Sequence, residues 1–279
     1  MGRSGNSWIG LIREVIRIDD SGSKNVSGMF VASLRGERDS NQDFSCCGEM
    51  GDLRIGVLCD GMGGLENGEE ASKRAAEGFV RKLKKVANKS RRNFDSKEFR
   101  FLAYKKIIQK CHEMVESISG GMGSSGTTMA AIVVSSGEDG SDFVDIVNIG
   151  DTRCYRLVEG SEKPQLLTDD HSATGELVRC SAIEIHEIPF VHGNNVLERF
   201  LGKSGFPEAD ASSHPWNRED IYLLCSDGVW GPLHEEVGMW LPENHLGCED
   251  LASRIVKESI ERGSEDNCSA VVVSLGGKK

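Results

Sequence analysis

The feature that most constrains this chain is a repeated local setting: an apolar run of strand length that ends on an aspartate beside glycine or asparagine. Asp60 follows IGVLC and precedes Gly61-Met62-Gly63-Gly64. Asp151 follows VDIVNIG, Asp227 follows IYLLCS and precedes Gly228, and Asp266 precedes Asn267 and the closing run CSAVVVSL. Strand ends in a rigid sheet hold carboxylates to tight tolerance, and a neighbouring glycine lets a backbone carbonyl approach a ligand unobstructed. One such aspartate is an ordinary turn residue; four in one context ask for sheets whose ends gather them. Converging carboxylates raise one another's pKa. Hard divalent cations remove that conflict, and an oxygen-only donor set selects Mg²⁺ or Mn²⁺ over zinc.

The remaining pattern supplies the scaffold. Met29–Ser33, Phe44–Cys47 and Leu53–Asp60 are short apolar runs bounded by Gly, Asp and Asn, and read as strands. Between Gly68 and Asn88, residues Ala71, Ala75, Phe79, Leu83 and Val86 recur every three or four positions, one face of a helix. Phe101, Tyr104, Ile108, Cys111, Val115 and Ile118 predict a second helix between Glu98 and Ile118. Thr127–Ser135, Phe143–Ile149 and Thr152–Val158 read as strands, with Gly137–Asp142 as a hairpin turn between the first two. Residues 171–219 are polar and irregular and predict a long loop region of the kind that forms functional lids. Ile221–Cys225 reads as a buried strand, Val237–Trp240 and Leu251–Glu261 as helical, and Cys268–Leu275 as the last strand. Strands, a helix pair, strands again and late helices predict an antiparallel α+β sandwich, not a wound βαβ sheet. Residues 1–27, with the polar stretch Asp19–Ser27, read as an N-terminal extension and linker ahead of a domain over 28–279.

Composition narrows the function classes. A chain of 279 residues can bury a large single core. With 33 Lys+Arg against 44 Asp+Glu, its net charge of −11 speaks against a uniformly basic nucleic-acid binder, so no nucleic-acid partner is expected. The nine cysteines form no CxxC pair, which points to a reducing, cytoplasmic setting and not to a disulfide framework. No apolar run approaches the ~18 residues of a membrane span. Trp8–Ile18 is interrupted by Arg13, Glu14 and Arg17, and makes a poor signal peptide.

The motifs in order carry a resemblance. Arg38-Asp39-Ser40-Asn41-Gln42-Asp43, Asp60-Gly61-Met62-Gly63-Gly64, Ser125-Gly126-Thr127-Thr128, Ile149-Gly150-Asp151-Thr152-Arg153, Leu167-Thr168-Asp169-Asp170-His171-Ser172, Cys225-Ser226-Asp227-Gly228 and Glu265-Asp266-Asn267 resemble successive motifs of the type 2C metal-dependent Ser/Thr protein phosphatases, the PPM family. They span roughly residues 28–275, and the DGMGG form is similar to the bacterial branch. The resemblance implies a four-layer α/β/β/α sandwich of two antiparallel sheets flanked by helix pairs, with residues 28–279 as the catalytic domain. It implies two Mn²⁺ or Mg²⁺ ions in a cleft at one end. Asp60 would bridge them, the carbonyl of Gly61 would complete one, and Asp227 and Asp266 would hold the second. Asp151 with Asp227 would form a weaker third site, and Asp43 and Asn267 would stand in the second shell, Asp43 orienting metal-bound waters. Arg38 would grip the substrate phosphate as a two-pronged donor, a task a planar guanidinium does better than Lys.

In that scheme two metals about 4 Å apart turn a bridging water into the nucleophile for in-line attack on phosphorus, and Arg38 and Asp60 are the catalytic pair. No cysteine nucleophile is expected. Met62 stands where eukaryotic relatives carry a histidine and can donate no proton to the leaving group. His171 reads as a structural part of the Asp-His-Ser turn. The nine Lys/Arg between Lys73 and Arg92 read as a solvated helix face or a dock for an acidic partner. The implied protein is a monomer that acts on phosphoproteins, the clients of a Ser/Thr kinase. A phosphoprotein-binding domain with little or no turnover, and a metal-dependent hydrolase of another phosphate ester, stay open as alternatives.

Overall fold

The apolar runs carry so little alternation because most of them are buried on both faces. The computed structural model describes residues 16–18, 22–26, 28–63, 67–90, 93–118, 125–136, 142–158, 161, 164–191, 193, 196–217, 219–233 and 248–274. One sheet is built from β1 (Ile16–Ile18), β4 (Asp43–Met50), β5 (Leu53–Gly63), β7 (Met129–Ser136), β8 (Asp142–Ile149) and β11 (Asp210–Pro215) in that spatial order, with β6 (Ser125–Thr127) paired to the end of β5. The other runs β10 (Gln165–Leu166), β9 (Arg153–Leu157), β12 (Ile221–Cys225), β13 (Cys268–Val273), β3 (Met29–Leu34) and β2 (Gly22–Val26). Every pairing is antiparallel.

Side-chain parity divides the interior into three apolar layers. On β5, Ile55, Val57 and Cys59 face the helices α1 (Asn67–Lys89) and α2 (Lys97–Glu116), where they meet Phe79, Leu83, Tyr104 and Ile108. Leu58, one step out of phase, faces the opposite sheet together with Ile132, Tyr222 and Val271. On β13, Ala270 and Val272 pack beneath α4 (Asp227–Leu233) and α5 (Cys248–Glu261), against Trp230, Leu251 and Ile255. The result is helix pair, sheet, sheet, helix pair, the α+β sandwich expected from the sequence. The sheets close tightly at Gly56, where a Cβ would stand 3.0 Å from Ile132 Cγ2 and 3.3 Å from Val271 Cγ1.

Both expected helices form. The Ser96 hydroxyl caps α2, accepting the Phe99 N–H at 3.2 Å. On α1, Arg74, Arg81, Lys85 and Lys89 face solvent, away from the buried stripe; Arg91 and Arg92 lie outside the described residues. Among the described residues no helix is long and apolar enough to cross a membrane.

Three segments differ from the sequence expectation. Within residues 1–27, β1 adds an edge strand to the first sheet by pairing with β4, and β2 adds one to the second by pairing with β3. Residues 171–219, expected as a loop, contain α3 (Ala173–Arg179), a 3-10 helix over Ile185–Phe190 and β11, which pairs with β8. Edge pairing of this kind is made by backbone groups and needs no apolar pattern, so DASSHP at Asp210–Pro215 gives no strand signal. The short helix α4 is also unannounced, because Gly228, Gly231 and Pro232 are poor helix formers. The expected helix at Val237–Trp240 and the turn at Gly137–Ser141 lie outside the described residues.

Antiparallel register then collects the aspartates. Asp43 and Asp60 are direct partners across β4 and β5, while β8 and β12 end, and β9 and β13 begin, at the same edge of the sandwich. The layer between the sheets holds these ends in place. Truncating its centre, Ile132→Ala, is expected to cost about 2–5 kcal/mol, read as a lower urea midpoint at unchanged m-value; a loss under about 1 kcal/mol would mean that the two sheets are not locked through this layer.

Candidate metal and phosphate site

Asp60 is held by its own backbone. Its carbonyl accepts the Thr128 N–H at 2.9 Å and the Thr127 hydroxyl at 2.8 Å, and its N–H donates to Thr128 Oγ1 at 2.9 Å. Thr128 Oγ1 lies 2.6 Å from Thr152 Oγ1, beside Asp151. The Gly61 N–H donates to the Gln42 carbonyl at 3.1 Å, and a Cβ at Gly61 would stand 2.2 Å from the Gly68 carbonyl oxygen. Only glycine fits there. The Asp151 carbonyl accepts the Trp230 indole N–H at 2.9 Å, which ties the β8–β9 turn to α4. At Gly150, φ is +108°, and a Cβ would stand 2.6 Å from Thr128.

This frame brings Asp43, Asp60, Asp151, Asp227 and Asp266 into mutual electrostatic range. Burial pushes the Asp60 carboxyl well above its ordinary range, and the charges of Asp43, Asp227, Asp151 and Asp266 push it further. Asp227 is raised by burial and then by Asp266, against a hydrogen bond shared with Asp60. Asp151 is raised by burial and by Asp227. Asp43, almost fully buried, is pushed up to about 8 by burial, opposed by hydrogen bonds from Ser269 and Ser226. Bare, these groups cannot all be ionised at neutral pH.

Three observations fit this site to hard divalent cations. The donors that converge are all oxygen. Asp43 Oδ1 is buried without a hydrogen-bond partner. The close approach at Gly61 leaves its backbone free of any side chain. Among the described residues no three His, Cys, Asp or Glu side chains already stand at metal-ligand spacing: Asp60 and Asp227 hydrogen-bond each other, and Asp266 Oδ2 is taken by Arg38 at 2.7 Å. Thiols take no part. Cys268, pushed up to about 12 by burial, donates to the Gly228 carbonyl at 3.2 Å.

Arg38 lies on the exposed turn between β3 and β4, its side chain 60% accessible, within the field of Asp266, Asp227 and Asp60. Asn267 braces that turn: its Oδ1 accepts the Gln42 N–H at 2.8 Å, and its Nδ2 donates to the Arg35 and Ser40 carbonyls at 2.7 and 3.0 Å. Met62 sits in β5 opposite Gly126. His171 belongs to the fold. Its Nδ1 accepts the Gly150 N–H at 3.1 Å, so the proton is on Nε2, which reaches Asp210 Oδ2 at 3.1 Å. Burial lowers its pKa, with Asp210 opposing, so the ring stays neutral.

Sequence reasoning assigned no role to the hydroxyls of Thr127, Thr128, Thr152, Ser226 and Ser269, although the last three each lie within three residues of a candidate aspartate. Nor did it single out the buried fork in which Arg153 donates to both Asp170 oxygens, at 3.0 and 2.7 Å, beneath the Trp230 ring.

Raised carboxylate pKa values mean that the folded, metal-free protein keeps protons the unfolded chain has released. Their stabilising contribution is therefore complete below the ordinary carboxylate range and is lost as pH rises through the folded values, which reach about 8 at Asp43. In EDTA, Tm should fall between pH 5 and pH 8 beyond what an Asp60→Asn variant shows, and at pH 8 the variant should melt several degrees above wild type. Equal slopes for the two proteins would show that the carboxylates do not repel one another.

The chain can now be set beside known proteins. The sequence profile of the family described as protein phosphatase 2C matches residues 32–269. The serine/threonine phosphatase stp of Listeria innocua is 29% identical over 224 residues, covering 78% of this chain and 83% of that protein. Among solved structures, the PPM Ser-Thr phosphatase MsPP from Mycobacterium smegmatis, in complex with cacodylate, superposes with a TM-score of 0.70 at 28% identity, over 91% of this chain and all of that one. The catalytic domain of PstP, solved in complex with two manganese ions, matches with a TM-score of 0.64 at 24% identity, over 88% of this chain and 96% of that one. With the motifs, the two-sheet sandwich and the profile match in agreement, this chain belongs to the protein phosphatase 2C family and is a serine/threonine protein phosphatase of the bacterial type.

Proposed function

We propose that the protein hydrolyses phosphoserine and phosphothreonine in partner proteins at a binuclear Mn²⁺ or Mg²⁺ centre seated on its strand-end aspartates. The observation that carries this reading is the convergence of five carboxylates, four of them raised by burial and by neighbouring charge, next to the unpartnered Oδ1 of Asp43. Asp60, the Gly61 carbonyl, Asp227 and Asp266 would hold two ions, and Asp151 with Asp227 a weaker third. Such ions, when bound, supply an activated water and offset charge on the phosphoryl oxygens. The solved PstP domain with two manganese ions supports this assignment.

The chain's own residues complete the chemistry. Arg38 presents a planar pair of donors at the rim of the cluster. Its Nη2 donates to Asp266 Oδ2 at 2.7 Å, and a cation held by Asp266 would compete for that oxygen and leave more of the guanidinium to a phosphate. Met62 offers no proton, so the leaving group takes its proton from another source. Beside the Arg38 turn lies a cleft of about 830 Å³ whose walls carry Glu37, Asp39, Glu69 and Glu265 against Arg35. That lining supports a protein substrate over a nucleic acid, which needs a basic track. We infer a cytoplasmic monomer acting on the clients of a Ser/Thr kinase, the setting to which the absence of CxxC pairs points.

Phosphate release from a phosphothreonine peptide, followed with Mn²⁺ and with EDTA, tests the reaction. Mn²⁺-dependent turnover that is abolished by Asp60→Asn and by Asp227→Asn, with folding intact, is the expected outcome. Turnover retained in either variant at saturating Mn²⁺ sinks the metal assignment, and no turnover in metal-loaded wild type favours a binding-only role. Arg38→Ala should raise KM for the phosphopeptide by about tenfold or more, the loss of a charge-assisted pair; an unchanged KM removes Arg38 from phosphate binding.

A further inference from the structure

Between the two sheets the apolar layer stops short of the carboxylate end, and a chain of hydroxyls takes its place. Ser33 on β3 and Ser269 on β13 are direct partners across that strand pair, in phase with Val31 and Val271 and so turned toward the opposite sheet. Their hydroxyl oxygens are 2.8 Å apart. Asn41 Nδ2 donates to Ser33 Oγ at 2.8 Å, and the orientation of that amide is set by its own Oδ1, which accepts the Asp43 N–H at 3.2 Å. The Ser269 hydroxyl stands close enough to the Asp43 carboxylate to favour its charged form. Ser226 Oγ donates to Asp43 Oδ2 at 2.9 Å and accepts the Ser269 N–H at 3.0 Å.

The direction of every proton follows from these partners. An amide NH₂ can only donate and a carboxylate can only accept, so Ser33 Oγ accepts from Asn41 and, with the Ser269 proton turned to Asp43, is the donor within the Ser33–Ser269 pair. Ser269 then has one proton to give, and it goes to Asp43. Donors from both β13 and the Ser226 turn therefore end on a single carboxylate, while Asp43 Oδ1 keeps no partner. Three hydroxyls at 3%, 0% and 0% accessibility (Ser33, Ser226, Ser269) stand where the same layer elsewhere carries Val, Ile and Leu. Buried hydroxyls cost free energy that apolar side chains do not, so packing alone does not account for them.

We propose that Ser269, Ser33 and Ser226, oriented by Asn41, are positioning residues that lock the Asp43 carboxylate with Oδ1 turned to the divalent-cation site. The hydroxyl chain belongs to the second sheet and Asp43 to the first, so the contact also sets the two halves of the site at a fixed separation. This inference rests on the metal-dependent reading above and concerns how that site is kept in shape.

The test is Mn²⁺ affinity, measured by titration calorimetry on the full chain without substrate, alongside Tm in EDTA and phosphate release. Ser269→Ala is expected to weaken Mn²⁺ binding about tenfold or more, in line with the loss of other outer-shell partners. Ser33→Ala, one link further out and able to keep the Ser269 contact, should weaken it by a smaller factor. Ser269→Thr, which retains the hydroxyl, should bind within about twofold of wild type. Wild-type Mn²⁺ affinity in both alanine variants overturns the proposal whatever happens to Tm, and so does a threonine variant that loses as much affinity as alanine. Should Ser269→Ala fail to fold, the Ser33→Ala comparison decides alone. A wild-type protein that binds no Mn²⁺ and releases no phosphate overturns the underlying metal reading, an outcome distinct from a hydroxyl-independent site.

Discussion

Mutual repulsion among the five strand-end carboxylates is the constraint on which the rest of this molecule turns. Left to itself, such a cluster would spread or take up protons, and burial makes both the repulsion and the proton uptake stronger. Holding it therefore requires a frame that cannot relax. The three apolar layers provide that frame, because close-packed interiors resist small displacements. Antiparallel pairing then fixes the carboxylates in register, Asp43 directly across from Asp60. The sheets thus bring the strand ends together, and Asp151, Asp227 and Asp266 follow or precede those ends by one or two residues.

A second tier of contacts fixes backbone direction at each carboxylate. The threonines of the Ser125–Thr128 segment grip both the N–H and the carbonyl of Asp60, and Trp230 grips the carbonyl of Asp151. The Arg153–Asp170 fork beneath Trp230 and the neutral His171 bridging Gly150 to Asp210 hold the β8–β9 turn from the other side. A titratable ring used this way belongs to the structure and not to proton transfer. Each of these contacts stabilises an arrangement that the bare charges oppose, the usual exchange of stability for activity at a functional site.

Much of this was legible in the sequence, for definable reasons. An apolar run bounded by aspartate and glycine marks a buried strand, so Asp60, Asp151, Asp227 and Asp266 could be found beside the strands that position them, although β5 runs on past Asp60 to Gly63, where it pairs with β6. The helices α1 and α2 announced themselves by spacing. Edge strands did not: β11 is mostly polar, and its pairing with β8 is made by backbone groups that no side-chain pattern announces. The hydroxyls were equally silent, since serine and threonine near a strand end are ordinary in any sequence. Their partners lie far away along the chain, 236 residues for Ser33 and Ser269. Only the three-dimensional register shows that Ser33, Ser269 and Ser226 share one target.

The turn that carries Arg38 shows how the two ends of the chemistry are joined. Asn267 follows Asp266 directly, and its side chain holds the Arg35–Gln42 turn at three backbone groups. The Gln42 carbonyl in turn accepts from the Gly61 N–H and from the Ser72 hydroxyl at 2.6 Å. One short path of hydrogen bonds therefore runs from Asp266 through Asn267 and Gln42 to Gly61, with Arg38 on the segment between. A displacement of Asp266 cannot leave Arg38 in place, because the residue that follows Asp266 is what anchors Arg38's turn. On the proposed roles, phosphate recognition and cation retention would share this path of backbone contacts.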